Sequence, residues 1–248
     1  MKVVFLGATK GIGRALGRRL VERGNDRCLL GRDAEDLERS ARDLEILAHR
    51  DPGAFRTVAC DLSRPAGFGP AFDAARVALG GDFDTVVVTA AVFATQVELE
   101  ADPALTERML TANFTGTILF CEEARRRLLA RGGGTLCVFS SVAGERGRKP
   151  VVLYGAAKAG LTAYLEGLDH KFHAEGLRVV TVKPGFVKTG MTAGLRPPPF
   201  AGEPDAVAAA VLGAIVRGTP VVYAPPIWRL IMLVIRWLPR AVMRKLGF

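Results

Sequence analysis

Tyr154 and Lys158 stand four residues apart in a stretch that reads as helix, so both side chains lie on one face and can reach one site. Ser141 follows an apolar run that reads as a strand. Asn113 lies inside a long helical stretch, where asparagine is a poor helix former and wants a reason. Near the start of the chain, Gly7-Ala8-Thr9-Lys10-Gly11-Ile12-Gly13 follows a short β-branched run. Small residues there let the chain turn tightly and let backbone approach a pyrophosphate. The next helix then offers its N-terminal N–H groups and positive dipole end to the phosphates. The spacing is G-x-x-x-G-x-G, not the commoner G-x-G-x-x-G, and a plain strand–helix turn is the alternative. Its place in the first βα unit points to a dinucleotide. A Tyr-x-x-x-Lys pair alone arises often by chance. Together with the glycine turn, Asn113-Phe114-Thr115-Gly116 and Pro184-Gly185, chance no longer explains it.

The second strand ends Leu29-Leu30-Gly31-Arg32, with no carboxylate until Asp33. A NAD-preferring site usually places an acid there for the ribose hydroxyls. Here Arg32 and Lys10 can both face a 2′-phosphate, and a guanidinium grips that group well, so NADP(H) is favoured over NAD(H). The alternative is an exposed Arg32 and an Asp33 that caps the next helix. Cys60-Asp61-Leu62 closes the third strand. Asp61 there is placed either to accept from an adenine amino group or to cap a helix.

These residues need elements to hold them. Apolar runs at 3–6, 27–30, 55–60, 85–89, 135–140, 177–182 and 221–224 alternate with helical stretches at 11–24, 34–49, 67–79, 103–130, 151–174 and 205–217. Val86-Val87-Val88 shows no polar alternation, as expected of a strand buried on both faces in a parallel sheet. The pattern predicts a doubly wound, Rossmann-type α/β sheet of seven parallel strands over 1–224, flanked by helices. An amphipathic basic segment follows at 225–248.

With 248 residues, 49% of them hydrophobic and 24% charged, the chain falls in the globular range rather than the disordered one. The net charge of +9 invites a nucleic-acid reading. Its distribution argues against one: after Asp205 no acid follows, whereas Arg217, Arg229, Arg236, Arg240, Arg244 and Lys245 do. A basic tail suggests a local partner. Cys28, Cys60, Cys121 and Cys137 lie in apolar surroundings without metal-ligand spacing, and read as buried reduced thiols of an intracellular protein. His170 and His173 share a helix face without a third ligand, so no metal is expected. Lys2 leads straight into an apolar strand, so no export leader is expected.

The chain resembles the short-chain dehydrogenase/reductases from Lys2 to the seventh strand. The matches are Gly7-x-x-x-Gly11-Ile12-Gly13, Asp61, Asn113, Ser141, Tyr154-x-x-x-Lys158 and Pro184-Gly185-x-Val187-x-Thr189. It departs where the family's Asn-Asn-Ala-Gly appears as Val88-Thr89-Ala90-Ala91, and where Leu6 replaces a threonine. The resemblance implies an enzyme that moves hydride between a nicotinamide cofactor and a carbonyl. Tyr154 would be the acid that protonates the carbonyl oxygen, or the base in reverse, with Lys158 lowering its pKa and binding the nicotinamide ribose. Ser141 would orient the carbonyl, and Asn113 would hold a water that links Lys158 to solvent. Thr189 and the Val187 backbone would hold the carboxamide. Gly7, Thr9, Lys10, Gly11, Ile12, Gly13, Arg32, Asp61, Leu62, Ala90, Pro184 and Gly185 would line the remaining cofactor site. A dimer or tetramer is implied as well.

Residues 225–248 carry two tryptophans and many aliphatics. Arg229 and Arg236 share a face, joined by Arg240 and Arg244 if the helix resumes in register past Pro239. The longest uncharged run, 230–235, is too short for a bilayer, which needs about 20 residues. One reading is a helix lying in a membrane interface, at the inner face of a cytoplasmic membrane. The other is a helix packed on the domain or in an oligomer contact. Ser140-Ser141-Val142-Ala143-Gly144-Glu145-Arg146-Gly147-Arg148-Lys149, Val152-Leu153-Tyr154-Gly155 and the tail look like the actinobacterial reductases of decaprenylphosphoryl-2-keto-erythro-pentose. That likeness implies a lipid-linked keto-sugar, whose phosphate one or two of Arg146, Arg148 and Lys149 would grip, unless that loop is simply solvated with Glu145 offsetting one arginine. The alternatives are a soluble carbonyl or 3-oxoacyl reductase for small ketones, and a cofactor-sensing protein without turnover.

Overall fold

The computed structural model describes residues 1–247. Seven strands form one sheet in the order β3-β2-β1-β4-β5-β6-β7, every neighbouring pair parallel. They are β1 (Lys2–Leu6), β2 (Asp26–Gly31), β3 (Arg56–Ala59), β4 (Thr85–Val88), β5 (Gly134–Phe139), β6 (Leu177–Pro184) and β7 (Val221–Ala224). Val4 lies between Cys28 and Val86, so the first strand is central and takes neighbours on both edges. Val86, Val87 and Val88 are buried, as the uninterrupted apolar run requires.

Each face of the sheet carries its own core. On one, Val3, Phe5 and Val87 pack with residues of α1 (Gly11–Glu22), α2 (Ala34–Leu47) and α8 (Pro204–Arg217). On the other, Val4, Leu6 and Val88 pack with α3 (Phe68–Ala78), α6 (Gly116–Ala130) and α7 (Val152–Phe172). The sequence order turns back between β1 and β4. Strand ends diverge there, and the crevice outside their carboxyl ends is where such sheets hold ligands.

Three departures from the sequence expectation have local causes. The stretch 103–130 is not one helix: α5 (Pro103–Leu110) passes through a π-helical turn, Thr111–Thr115, into α6. Asn113 lies in that turn with its side-chain amide bonded across to Val92, and the widened turn is the reason for asparagine that helix propensity could not supply. A short helix, α4 (Gln96–Ala101), was not expected. A capping box between Thr95 and Glu98 starts it, and Asp102, accepting from the Leu105 N–H, starts α5 directly after. In the tail, α9 (Ile227–Trp237) stops where Leu238 and Pro239 turn extended, and α10 (Arg240–Lys245) begins afresh. The arginines of the two helices therefore do not continue one register.

Candidate active site

The glycine turn is held by its neighbours. The Gly7 N–H donates to the Leu30 carbonyl at 3.1 Å, and the Thr89 hydroxyl donates to the Gly7 carbonyl at 2.8 Å. A Cβ at Gly7 would overlap the Ala90 N–H, and one at Gly13 would overlap the Gly7 carbonyl oxygen. The turn and the first turn of α1 thus close a cradle that any side chain would fill, as backbone recognition of a pyrophosphate demands. Thr89, just after β4, thus braces the turn from the neighbouring strand end. Gly11 approaches Thr189, which brings the loop after β6 over the turn. Thr9 lies in the turn, and Ile12, at the start of α1, packs against the core.

At the end of β2, Asp33 accepts from the Asp36 N–H at 3.0 Å and so caps α2. Arg32 is exposed, and among the described residues it joins no ion pair. Lys10 is not the free cation the sequence suggested: it lies 2.6 Å from Asp36, which also pairs with Arg39. Asp61 accepts from both the N–H and the hydroxyl of Ser63, at 2.9 and 2.8 Å, which holds its carboxyl below the usual range. It braces its own turn. The carbonyl of Leu62 is packed so closely on Gly116 that no Cβ fits there.

Across the crevice Ser141, Tyr154 and Lys158 converge from β5 and α7. Lys158 is 2% exposed, and its Nζ donates to the Phe139 carbonyl at 2.8 Å. That nitrogen lies 5.8 Å from the centre of the Tyr154 ring. Ser141 accepts from the Ala143 N–H at 3.0 Å and donates weakly to the Pro184 carbonyl at 3.5 Å. Gly144, in the turn after Ser141, lies against the backbone of Lys158 and Ala159. The Ser140 hydroxyl donates to the Lys158 carbonyl at 3.0 Å. Strand end and helix are therefore locked together. Pro184, which ends β6, and Gly185 and Val187, which follow it, form the neighbouring edge of the crevice. Asn113 is fully buried and spends its side-chain amide on Val92, accepting at 2.7 Å and donating at 2.6 Å. It positions the wall after β4. Beyond those bonds its amide oxygen keeps a second lone pair and its amide nitrogen a second hydrogen.

Burial sets the electrostatics. It pushes the Tyr154 phenol up to about 12, the Ser141 hydroxyl beside it pulling the other way. It brings Lys158 down to about 8. Since an unfolded lysine titrates near 10.5, the native protein must desolvate an ammonium at all pH values below about 8. As pH rises from about 8 towards 10.5 the unfolded chain binds more protons than the native one, and stability is gained. Lys158→Met in the cofactor-free protein is therefore expected to be more stable than the parent at neutral pH, by up to roughly 3 kcal/mol less the lost Phe139 bond. The gap should narrow across that window. Denaturant melts of both proteins at the two ends of the window check this, and a gap that does not change with pH would contradict it. Comparing the pair cancels the buried thiols, of which Cys28 and Cys60 are also pushed up to about 12.

Several neighbours were missed in the sequence. Phe93 sets its ring edge-on to Tyr154, centroids 5.3 Å apart. Leu99, Met109 and Ala157, with Val92, Ala94 and Leu153, extend this into an apolar wall. The hydrophobic residues at 92–94 were the available signal. Glu145 does not offset a loop arginine. It turns inward, accepting from Lys183 at 2.5 Å and from the Tyr223 hydroxyl at 2.7 Å, with Arg236 of α9 at 3.6 Å. The basic loop is not simply solvated either: Arg146 donates to the Leu238 carbonyl at 2.8 Å and Lys149 to the Arg244 carbonyl at 2.6 Å. Two of its three cations thus hold the tail. Trp228 is buried in a small core with Val142, Met232 and Ile235, and its indole sits on Gly185 so tightly that no Cβ fits.

Residues 1–199 match the short chain dehydrogenase family. An uncharacterised oxidoreductase of Mycobacterium tuberculosis is 35% identical over 246 residues, covering 98% of this chain and 96% of that protein. Carbonyl reductase family member 4 of Danio rerio is 31% identical over 220 residues, covering 86% and 89%. A short-chain dehydrogenase from Sphingobium yanoikuyae, solved in complex with NADPH, superposes with a TM-score of 0.78 at 26% identity, covering 90% of this chain and 87% of that one. Sequence, sheet order and relatives agree: the chain is an oxidoreductase that belongs to the short-chain dehydrogenase family.

Proposed function

We propose that the protein reduces a ketone to a secondary alcohol with NADPH, reversibly, on a hydrophobic substrate. The observation that carries this is the convergence of Tyr154, Ser141 and the buried Lys158 beside a glycine cradle, with Phe93 and its apolar neighbours against the phenol. NADPH, when bound, would supply the hydride for the carbonyl carbon. Tyr154, protonated at neutral pH, delivers the proton to the oxygen, and Ser141 orients that oxygen. Lys158 leaves the Phe139 carbonyl to bind the ribose hydroxyls and stabilises the phenolate left behind. Val187 and Thr189 hold the carboxamide, and Asn113 keeps the far wall in place. A lipid-linked keto-sugar is the finer reading, with segment 225–248 at the membrane where such a substrate resides. Arg148 is the loop cation with no hydrogen bond to the tail, and it is the candidate for a substrate phosphate. Assembly as a dimer or tetramer belongs to the same reading. NADPH consumption across small ketones, long-chain ketones and lipid-linked keto-sugars tests the proposal. Turnover of small ketones alone would restrict it to the carbonyl-reductase alternative, and turnover of none would reject it.

Cofactor choice rests on Arg32, since Asp33 is occupied as a cap and Asp36 is held by Lys10 and Arg39. Arg32→Asp is expected to weaken NADPH roughly tenfold to a hundredfold, removing a charge-assisted contact and adding repulsion, with NADH little changed. Fluorescence titration of both cofactors checks it. An unchanged NADPH affinity would show that the 2′-phosphate is bound elsewhere.

A further inference from the structure

Helix α9 is apolar on two opposite sides. Trp228, Met232 and Ile235 face inward and pack on Val142, Phe186 and Tyr223. Leu230, Leu233, Val234 and Trp237 face outward, exposed by 61, 48, 63 and 81%. Four large apolar side chains on the outer face of one three-turn helix form a continuous patch that a water-facing surface does not need. The patch is rigidly presented, because Arg146 and Lys149 hold the main chain of the segment at Leu238 and Arg244.

Charge decides what covers this patch. Arg229 and Arg236 run along one edge of α9, and Arg240, Arg244 and Lys245 follow in α10. Residues 225–248 hold those five cations and no acid, and of the five Arg236 lies 3.6 Å from the carboxylate of Glu145. A second copy docking through the same face would bring its own cations against these, with no carboxylate from either segment between them. A bilayer surface with anionic headgroups satisfies both features at once, taking the outer side chains at the acyl boundary and the arginines at the phosphates. No helix among the described residues is long and apolar enough to cross a membrane, so the contact is one of lying on the surface.

We propose that the outer face of α9, with the cations of α10, docks on anionic lipid bilayers. Leu230, Leu233, Val234 and Trp237 enter the interface. Trp228 takes no part, because it is spent on Gly185. Docking rests on the placement of segment 225–248 at a membrane in the proposed function, and it is read without ketone or cofactor, so its failure leaves the reductase assignment standing.

The test is flotation of the full chain with vesicles of phosphatidylcholine containing about 30% phosphatidylglycerol, against phosphatidylcholine alone. Binding is expected to the anionic vesicles, to be weaker on the neutral ones, and to fall as salt is raised from about 50 to about 500 mM. Leu230→Glu with Trp237→Glu should abolish it. Both side chains are exposed, so the double variant should keep the parent's melting temperature. Arg229→Gln with Arg240→Gln should weaken it at least about tenfold. Failure of the parent to float with anionic vesicles would overturn the proposal, as would binding that survives the double glutamate variant. So would a parent oligomer that the glutamates split while vesicle binding is absent, which would give the face to a second copy.

Discussion

Replacing Tyr154 by phenylalanine is expected to lower kcat for ketone reduction by on the order of a thousandfold and leave NADPH binding within about twofold. The ring stays against Phe93, and only the hydroxyl that carries the proton is removed. Because burial holds the phenol up at about 12, it is protonated between about pH 6 and 9, so the parent's reduction rate should be nearly flat at the acid end of that range and fall as Lys158 loses its charge at about 8. Alcohol oxidation needs the phenolate, so its rate should climb about tenfold per pH unit until the phenol titrates in the ternary complex. Oxidised nicotinamide and Lys158 both bring positive charge near the oxygen and lower that point below the value in the empty site. Steady-state rates in both directions across this range check the assignment. Full activity in Tyr154→Phe would remove Tyr154 as the proton donor.

Gly13→Ala is expected to be the most damaging single methyl group in the cofactor half. Its Cβ would overlap the Gly7 carbonyl oxygen and come within 2.7 Å of the Thr89 hydroxyl oxygen, the brace of the turn. Neither can retreat, since Gly7 is bonded to Leu30 in the central sheet. Helix α1 must instead move away from the turn, which costs about 1–3 kcal/mol as overpacking and opens the pyrophosphate cradle. NADPH affinity should fall at least about tenfold. Gly67→Ala is the control, because a Cβ there meets nothing within 4 Å. Melting temperature and NADPH titration of the two variants give the comparison. Equal behaviour would mean that the cradle does not set affinity.

Much of the scaffold could be read in the chain itself. Strand identity followed from uninterrupted β-branched runs such as Val86-Val87-Val88, whose lack of polar alternation suits a parallel sheet covered on both faces. The glycine turn and the Tyr154–Lys158 spacing could be read too, because both are local: a turn needs its glycines within a few residues, and i,i+4 places two side chains on one helix face. The strand order was not read from the chain, and the backbone pairing decided it.

What depends on partners far away in sequence needed the tertiary structure. Asn113 gave no sign that its amide would be claimed by Val92, twenty-one residues earlier, or that a π-helical turn would present it. Lys10 and Arg32 looked alike as cations near a 2′-phosphate, yet folding α2 against α1 put Asp36 beside one and not the other. Glu145 read as one charge in a basic loop, but Lys183 and Tyr223 arrive from two later strands and draw it inside. The tail shows the limit most plainly. Its apolar and basic residues established that it is amphipathic. The side that packs on the domain is the one whose Trp228 indole rests on Gly185, where no Cβ would fit, and beside Val142. Hydrophobic pattern is a property of one segment and is written in its own residues, whereas the choice between two apolar faces is made by the surface it meets.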